Sequence, residues 1–530
     1  MVLKYLIIAY IGALIASTNG LTGQALTNRP IVLGPFVGLV LGDVVQGTII
    51  GASLELAYMG VMVIGISTAV EMRTASLLGT TYALVTGQGA DLAITLAVPA
   101  SMLFTLINNA LQPVYAALAR VEITAGENGQ VVKFERWHWI YYFLRNIAIP
   151  GTVWFVALLV GSTAVQAFVD NAPTFLINGL SASTKLIPAL GFAMLFNLCY
   201  TKEVAAFFYI GFCLATYMHV DNVGVAIMGG AFAAIAYFFT KTGGDAEEEE
   251  EEVEETASED SEKHQLLDEK TLEAVTLRSY QLEADFSMER FQGTGFGYSM
   301  IPALKVFYKD RPEEFNEALS RHIEFFNTTP TVVTLITGIA LALEEEKATK
   351  GTVTGGAISS VKVALMGPAA GIGDAIFWGS YRIICASIAC ELGVAGNLAA
   401  PWVFLVLFNI PNVVIHHYGL RWTYKLGSNV IRQLYESGLI EKITLCCSIM
   451  GMTMVGAMTG SLVSVTTALE FSINEQVFKL QEVLDSIMPN LLSLVTVLIL
   501  SRVMKKETNV VKVIFILMAV GILGALIGFF

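Results

Sequence analysis

Long apolar stretches recur along the chain, near residues 2–18, 31–66, 75–118, 139–168 and 186–239, then again near 331–343, 361–390, 398–418, 443–468, 483–501 and 511–529. Several exceed the roughly 20 residues that one membrane crossing needs. Glycine interrupts them, at Gly34, Gly38, Gly42, Gly47, Gly51, Gly60 and Gly65. That pattern predicts closely packed or broken helices rather than smooth lipid-facing rods. Met1–Ser17 has one Lys, an apolar run and no clean small-x-small site after it, so it reads as a retained first membrane segment. Two polar excursions stand out. Arg120–Trp137 alternates around Asn128-Gly129, which predicts a short β-hairpin. Residues 263–320 look soluble, and Pro312–Phe326 places Phe315, Leu319, His322 and Phe326 on one helical face.

One break dominates the organisation. Gly243–Glu262 reads GGDAEEEEEEVEETASEDSE, a self-repelling run that cannot bury a core. The expected fold is therefore an all-α polytopic membrane protein with broken helices. A membrane domain at 1–242 is joined by an acidic flexible linker, 243–265, to a second domain at 266–530, which starts with amphipathic helices and continues into the membrane. A spacer role for the linker is favoured over docking of a basic partner. Gly34-Pro35-x-x-Gly38 with Gly42-Asp43 is echoed by Gly367-Pro368-x-x-Gly371 with Gly373-Asp374. Such an echo fits inverted repeats, whose broken helices line substrate sites in transporters.

Composition agrees. Of 530 residues, 55% are apolar and only 14% charged, with mean hydropathy +0.64. This excludes an ordinary soluble enzyme, a disordered scaffold and a nucleic-acid binder. The net charge of -14 comes largely from the linker; without its 12 acidic residues, 33 acidic face 31 basic ones. Arg502, Lys505, Lys506 and Lys512 mark a cytoplasmic loop by the positive-inside rule. Cys199, Cys213, Cys385, Cys390, Cys446 and Cys447 form no CxxC pair and read as small buried hydrophobes.

Charges inside apolar stretches are costly, which makes them candidates for function. Glu55 can bind a polar solute or pair with Arg29. Glu71 and Arg73 either face a solute or pair with each other. Asp374 can bind a ligand or cap a half-helix. Trp378, after Phe377, offers an aromatic face to a sugar or simply packs. Glu289 and Arg290 read as a local pair, and Asn327 before Pro330 as a helix cap or a contact. Carboxylates, amides and aromatics together suit a neutral polyhydroxylated solute. They suit a metal poorly, with six scattered His. No hydrolase elbow, Walker loop or zincin motif occurs. His416-His417 is a poor phosphohistidine candidate at the end of an apolar stretch, where packing is the better reading. No cofactor is expected.

At these motifs the chain resembles the membrane components of the mannose/fructose/sorbose family of bacterial phosphotransferase sugar uptake systems (PTS), with IIC and IID fused in one chain. The IID resemblance rests on Glu289-Arg290-Phe291-Gln292, Gly295-Phe296, Tyr298 through Pro302, Arg321-His322, Glu324 through Thr328, Leu341 through Glu345, and Lys362 through Trp378. Phe408-Asn409, Tyr418-Gly419 and Met488-Pro489 also fit. The IIC resemblance rests on Arg29-Pro30, Gly38 through Asp43, Gly47, and Gly51 through Glu55. Phe286-Ser287-Met288, Thr329 and Glu71-Met72-Arg73 depart from the family pattern at sugar-contact positions, which leaves the sugar open.

The resemblance implies a multi-pass permease of the bacterial cytoplasmic membrane, not an enzyme on its own. It implies that a hexose or amino sugar binds in the IIC–IID pair and crosses by an elevator-like movement. A separate phosphohistidine-carrying IIB, served by IIA, then phosphorylates it. It implies further a homotrimer of IIC–IID units among membrane lipid, with no nucleic-acid partner. The candidate substrate-binding set is Gln24, Asn28, Glu55, Glu71, Glu289, Asn327, Asp374 and Trp378. Arg29, Arg73, Arg290, Gly367, Pro368, Gly371 and Gly373 form the structural or gating set. Two other classes compete: an ion-coupled secondary transporter using Glu55, Glu71 and Asp374, and an added role as a bacteriocin or phage receptor.

Overall fold

The computed structural model describes the chain except residues 60–70, 172–185, 187–188, 191, 194–195, 198–199, 240–265, 288, 428–438, 474–475, 507–509 and 530. The acidic linker and Cys199 lie outside the described residues. The described architecture is helical, apart from one short antiparallel pair, Glu470–Ile473 with Gln476–Lys479, with Glu470 opposite Lys479. Among the described residues four helical stretches are long and apolar enough to cross a membrane: Val2–Leu21, Val131–Gly161, Ala369–Val394 and Ala400–Leu426. A pair bent by 80°, Leu480–Ile487 with Leu491–Lys506, would make a fifth.

The expected broken helices are present. Pro30–Leu41 and Val44–Ala57 have 12 and 14 residues. At 1.5 Å per residue they reach roughly 18 and 21 Å, short of a ~30 Å hydrocarbon core. Gly42 at φ +106° reverses the chain, and the Asp43 carboxylate caps the second helix by accepting from Gln46 N–H at 2.9 Å. The two backbones touch. A Cβ on Gly34 would lie 2.6 Å from the Gly47 carbonyl oxygen, and one on Gly47 would lie 2.7 Å from Gly38 Cα. Small residues in facing positions are what allow such an approach.

The echoing motif has another local role. Gly355–Gly373, Asp374–Tyr381 and Arg382–Val394 follow one another without a turn, and the middle segment is a π-helix. Gly367, Pro368, Gly371 and Gly373 all lie on the first of these helices. Two further π segments, Leu144–Ala148 and Ile415–Gly419, also sit inside longer helical stretches. Such bulges concentrate where side chains are re-aimed for function.

One expectation is corrected. Arg120–Trp137 is not a β-hairpin but the turn between two helices, Gln112–Glu127 and Val131–Phe143. Asn128-Gly129 supplies the reversal, with Gly129 at φ +63°. The apparent alternation arose because Glu122, Ile123, Phe134 and His138 are buried, so polar residues face inward as well as outward.

The two halves interlock rather than merely abut. First-half helix Ala205–Thr216 lies against second-half helix Leu439–Leu462 so closely that a Cβ on Gly211 or Gly456 would meet a backbone carbonyl oxygen 1.9 Å away. Phe208 and Phe212 share one core with Met452, Val455 and Met458. The soluble-looking stretch buries Leu272, Phe296, Leu304, Phe315, Leu319 and Phe326 together, in a core shared with Phe134 of the first half and Ile336, Leu420 and Tyr424 of the second. Phe315, Leu319 and His322 lie buried on one helical face as expected, but the helix ends at His322, and Phe326 is buried beyond it in a bridge to Phe291. Cys385 and Cys390 are buried as expected, whereas Cys213 is exposed.

Candidate functional site

The two halves enclose a polar cavity of about 460 Å3, within the usual size range of small-molecule sites. Its first-half wall is Asn19, Gln24, Leu26, Asn28 and Arg29, with Glu71, Met72 and Arg73 beyond. Its second-half wall is Glu283, Phe286, Phe291, Gln292, Asn327, Thr328, Pro330, Ala370, Asp374, Trp378 and Arg382.

The carboxylates of the lining have identifiable holders. The Glu71 carboxylate caps the Met72–Thr86 helix, accepting from Thr74 N–H at 2.7 Å and Thr74 Oγ1 at 2.6 Å. It also accepts from Arg73 Nε at 2.5 Å, so the mutual pair and the cavity position coexist. Glu283 accepts from the amides of Gln24 and, at 2.8 Å, of Gln292. Gln292 in turn donates to the Thr328 carbonyl at 2.9 Å and accepts from Thr328 N–H at 2.8 Å. This chain ties residue 24 of the first half to residue 328 of the second. Burial pushes the Glu283 carboxyl above the ordinary range, and the Gln24 and Gln292 amides oppose that rise.

Asp374 does not cap a half-helix. It sits inside the continuous helix, at the start of the π segment, and accepts from Thr329 Oγ1 at 2.6 Å. Thr329 also packs on Gly373, where a Cβ would lie 2.4 Å from its hydroxyl oxygen. Asn327 is exposed to the cavity and is not a helix cap; its backbone N–H points to Met366 Sδ. Trp378 packs against Phe408 at 6.2 Å between centroids and presents its remaining surface to the cavity. The buried Asn28 Oδ1 has no hydrogen-bond partner among the described residues.

Two expected contacts lie elsewhere. Glu55 is fully buried behind the cavity and forms a two-pronged pair with Arg29, at 2.5 and 2.9 Å. Glu289 points away and pairs with Arg120 at 2.6 Å, while Arg290 pairs with Glu127 at 2.8 Å. Glu289 and Arg290 are thus only a loose local pair, 3.7 Å apart; their shorter bonds cross to the first half. Phe286 lies at one of the positions where the resemblance implied a sugar contact, whereas Glu283, Gln292, Asn19, Phe291, Thr328 and Arg382 were not expected. Arg382 carried the signal that flagged Glu55, a charge in an apolar stretch. Its buried guanidinium donates to the Met59 carbonyl at 2.9 Å.

Among the described residues the lining carries three carboxylates, Glu71, Glu283 and Asp374, and three guanidinium groups, Arg29, Arg73 and Arg382. Opposite charges in equal number, with amides and aromatic faces between them, favour an uncharged polyol over an ion. Among the described residues no histidine lines the cavity. His416 is instead buried, bonded to Ser279 at 3.0 Å and stacked on Tyr280 at 4.1 Å, which is the packing role expected of it.

A polar cavity between the two halves, lined in part by a π-bulged helix and set among apolar helices long enough to span a bilayer, marks a multi-pass membrane permease. Residues 266–530 match the family described as the PTS system mannose/fructose/sorbose family IID component, and residues 2–235 match the PTS system sorbose-specific IIC component. The chain belongs to the mannose/fructose/sorbose PTS family, with IIC and IID in one polypeptide. It is 34% identical over 264 residues to the mannose-specific EIID component of Escherichia coli K12, covering 49% of this chain and 93% of that one. It is 37% identical over 274 residues to the fructose permease IID component of Bacillus subtilis 168, covering 51% and 99%. It is 28% identical over 232 residues to the E. coli K12 mannose-specific EIIC component, covering 43% and 86%. A solved complex of the mannose transporter ManYZ with microcin E492 contains a chain 34% identical to this one, covering 50% of this chain and 98% of that one at TM-score 0.30. The chain is therefore a membrane transport component of a bacterial sugar phosphotransferase system, with phosphoryl transfer left to soluble IIA and IIB partners.

Proposed function

We propose that the cavity between the halves is the sugar site, with Gln24, Asn28, Glu71, Glu283, Gln292, Asn327, Asp374 and Trp378 as its contacts. Arg29 and Arg73 hold two of its carboxylate neighbours in place. The observation that carries this reading is the balanced lining drawn from both halves, linked by the Gln24–Glu283–Gln292–Thr328 chain. Amides and carboxylates can exchange these internal bonds for sugar hydroxyls, and Trp378, Phe286 and Phe291 offer apolar faces to C–H surfaces. Such a site selects by hydroxyl geometry rather than by charge, which fits a hexose or an amino sugar.

Transport by an elevator-like movement of one body against the other is supported by the short hairpin helices and the glycine-lined contacts. Such packing lets one body move as a rigid unit without exposing backbone to lipid. Phosphorylation by a phosphohistidine on IIB is supported by the match of both halves to the IIC and IID families. The units 1–242 and 266–530 act as IIC and IID, and the linker keeps them at high effective concentration. The family resemblance favours a homotrimer of such chains.

The test is uptake into vesicles containing this chain and the soluble phosphocarriers. Uptake should require phosphoenolpyruvate, ignore an uncoupler and release phosphosugar inside. Accumulation of free sugar that collapses with the proton gradient would refute the reading.

A further inference from the structure

Apart from the cavity, the helical hairpin of Gln112–Glu127 and Val131–Phe143 buries a second set of titratable groups. His138 Nδ1 lies 3.1 Å from Glu122 Oε1 and 3.4 Å from Asp285 Oδ2. All three residues are at most 1% exposed. The donor atoms fall within 4.8 Å of one another, the one such grouping of three among the described residues. Glu122 and His138 come from the first half, and Asp285 from the second.

Burying two carboxylates together is expensive unless a cation offsets them. Among the described residues neither Glu122 nor Asp285 has an ion pair with Lys or Arg. Among the described residues neither Asp285 oxygen accepts a well-aligned hydrogen bond, and the buried Thr294 hydroxyl makes none either; His138 and Thr294 are the donors that face Asp285. One imidazole and two carboxylates are a common donor set for zinc. Tetrahedral zinc places neighbouring donor atoms roughly 3.3–3.5 Å apart, close to the two separations seen at His138 Nδ1. With neutral imidazole, a dication and two carboxylates sum to zero charge. The ring is held from outside: Tyr298 stacks on it at 4.2 Å and 5°, and the Arg278 guanidinium covers Tyr298 at 4.4 Å. Fixing a ligand's orientation in this way is typical of metal sites.

We propose that Glu122, His138 and Asp285 form a structural divalent-cation site, best suited to zinc, that fastens the first half to the second behind the Glu283–Phe286 wall of the sugar cavity. Thr294 is placed beside Asp285 to supply or orient a fourth donor.

The experiment uses the full chain without a histidine tag, in lipid nanodiscs. The protein is stripped with chelator, incubated with zinc, desalted and analysed for metal by mass spectrometry. About one zinc per chain is expected. Asp285→Asn and His138→Asn should each lower it to about a fifth or less. Zinc should raise the melting temperature of the wild type only. Cobalt loading of the wild type should give the visible ligand-field bands of a tetrahedral N/O site without thiolate charge transfer. Should the substituted chains fail to fold, wild-type stoichiometry and the cobalt spectrum still decide. Retention of less than about a fifth of an equivalent by wild type, a thiolate spectrum, or full retention by folded Asp285→Asn would overturn the proposal.

Discussion

Arg29 and Glu55 close the open end of the glycine-packed hairpin, Arg29 preceding its first helix and Glu55 lying near the end of its second. Glu55 is wholly buried, and Arg29 has one edge on the cavity. The pair therefore fixes where the cavity wall stands. Removing one partner leaves a buried charge without its counterion, which costs about 3–5 kcal/mol. Glu55→Gln should lower the melting temperature in detergent markedly and reduce the amount of folded protein. An unchanged melting curve would mean that the pair is not structural.

Asn327 presents the opposite case. It is exposed to the cavity, and no hydrogen bond of its side chain is seen among the described residues. Asn327→Ala should leave the melting temperature within a degree or so and reduce uptake about tenfold, the equivalent of one lost hydrogen bond of roughly 1.4 kcal/mol. Wild-type uptake would remove Asn327 from the contacts.

These two residues show what the sequence conveyed and what it withheld. Charge in an apolar run is visible in one dimension, so Glu55, Glu71 and Asp374 could all be marked. Whether such a charge faces a cavity or a counterion depends on a partner that only folding supplies, and Arg29 met Glu55. Glu283 and Gln292 escaped because they sit in a polar-looking loop, where an acid or an amide is unremarkable until Gln24 arrives from the other half. The helical hairpin was misread for a related reason: an Asn-Gly turn can join helices as readily as strands, and buried Glu122 and His138 disguised the helical period. Gly34 and Gly47 were legible as packing positions, but their pairing required the reversal at Gly42.

That pairing gives a further prediction. A Cβ at Gly34 would lie 2.6 Å from the Gly47 carbonyl oxygen and from Gly51 Cα, all of it backbone. Backbone cannot rotate away as a side chain can, so the hairpin must open. Gly34→Val should destabilise by more than the ~1–3 kcal/mol typical of overpacking and abolish uptake. Gly42→Val should cost less in packing, since nothing lies within 4 Å, but should strain the backbone at φ +106°. Gly371→Ala, with open space around the same Cβ position, is the control and should retain folding. Equal melting temperatures for Gly34→Val and Gly371→Ala would contradict the close approach.

Glu283 sets a pH dependence whose sign follows from its environment. Burial raises its carboxyl above the ordinary range. The folded chain then binds a proton more tightly than the unfolded chain does. Between the unfolded value, about 4.3, and the raised folded value, stability falls as pH rises. Below that window the residue is protonated in both states and the contribution is fully present. Glu283→Gln keeps the size and can still bond Gln24 and Gln292, but it cannot ionise. It should remove that part of the pH dependence and melt no lower than wild type above the window. Thermal melts across the acidic-to-neutral range provide the check, with Asn327→Ala as the reference because its side chain does not titrate. If Glu283→Gln melts in parallel with wild type at every pH, the carboxyl is not held above its ordinary value. If it also loses sugar uptake while remaining folded, the charge of Glu283, rather than its shape, is what the sugar meets.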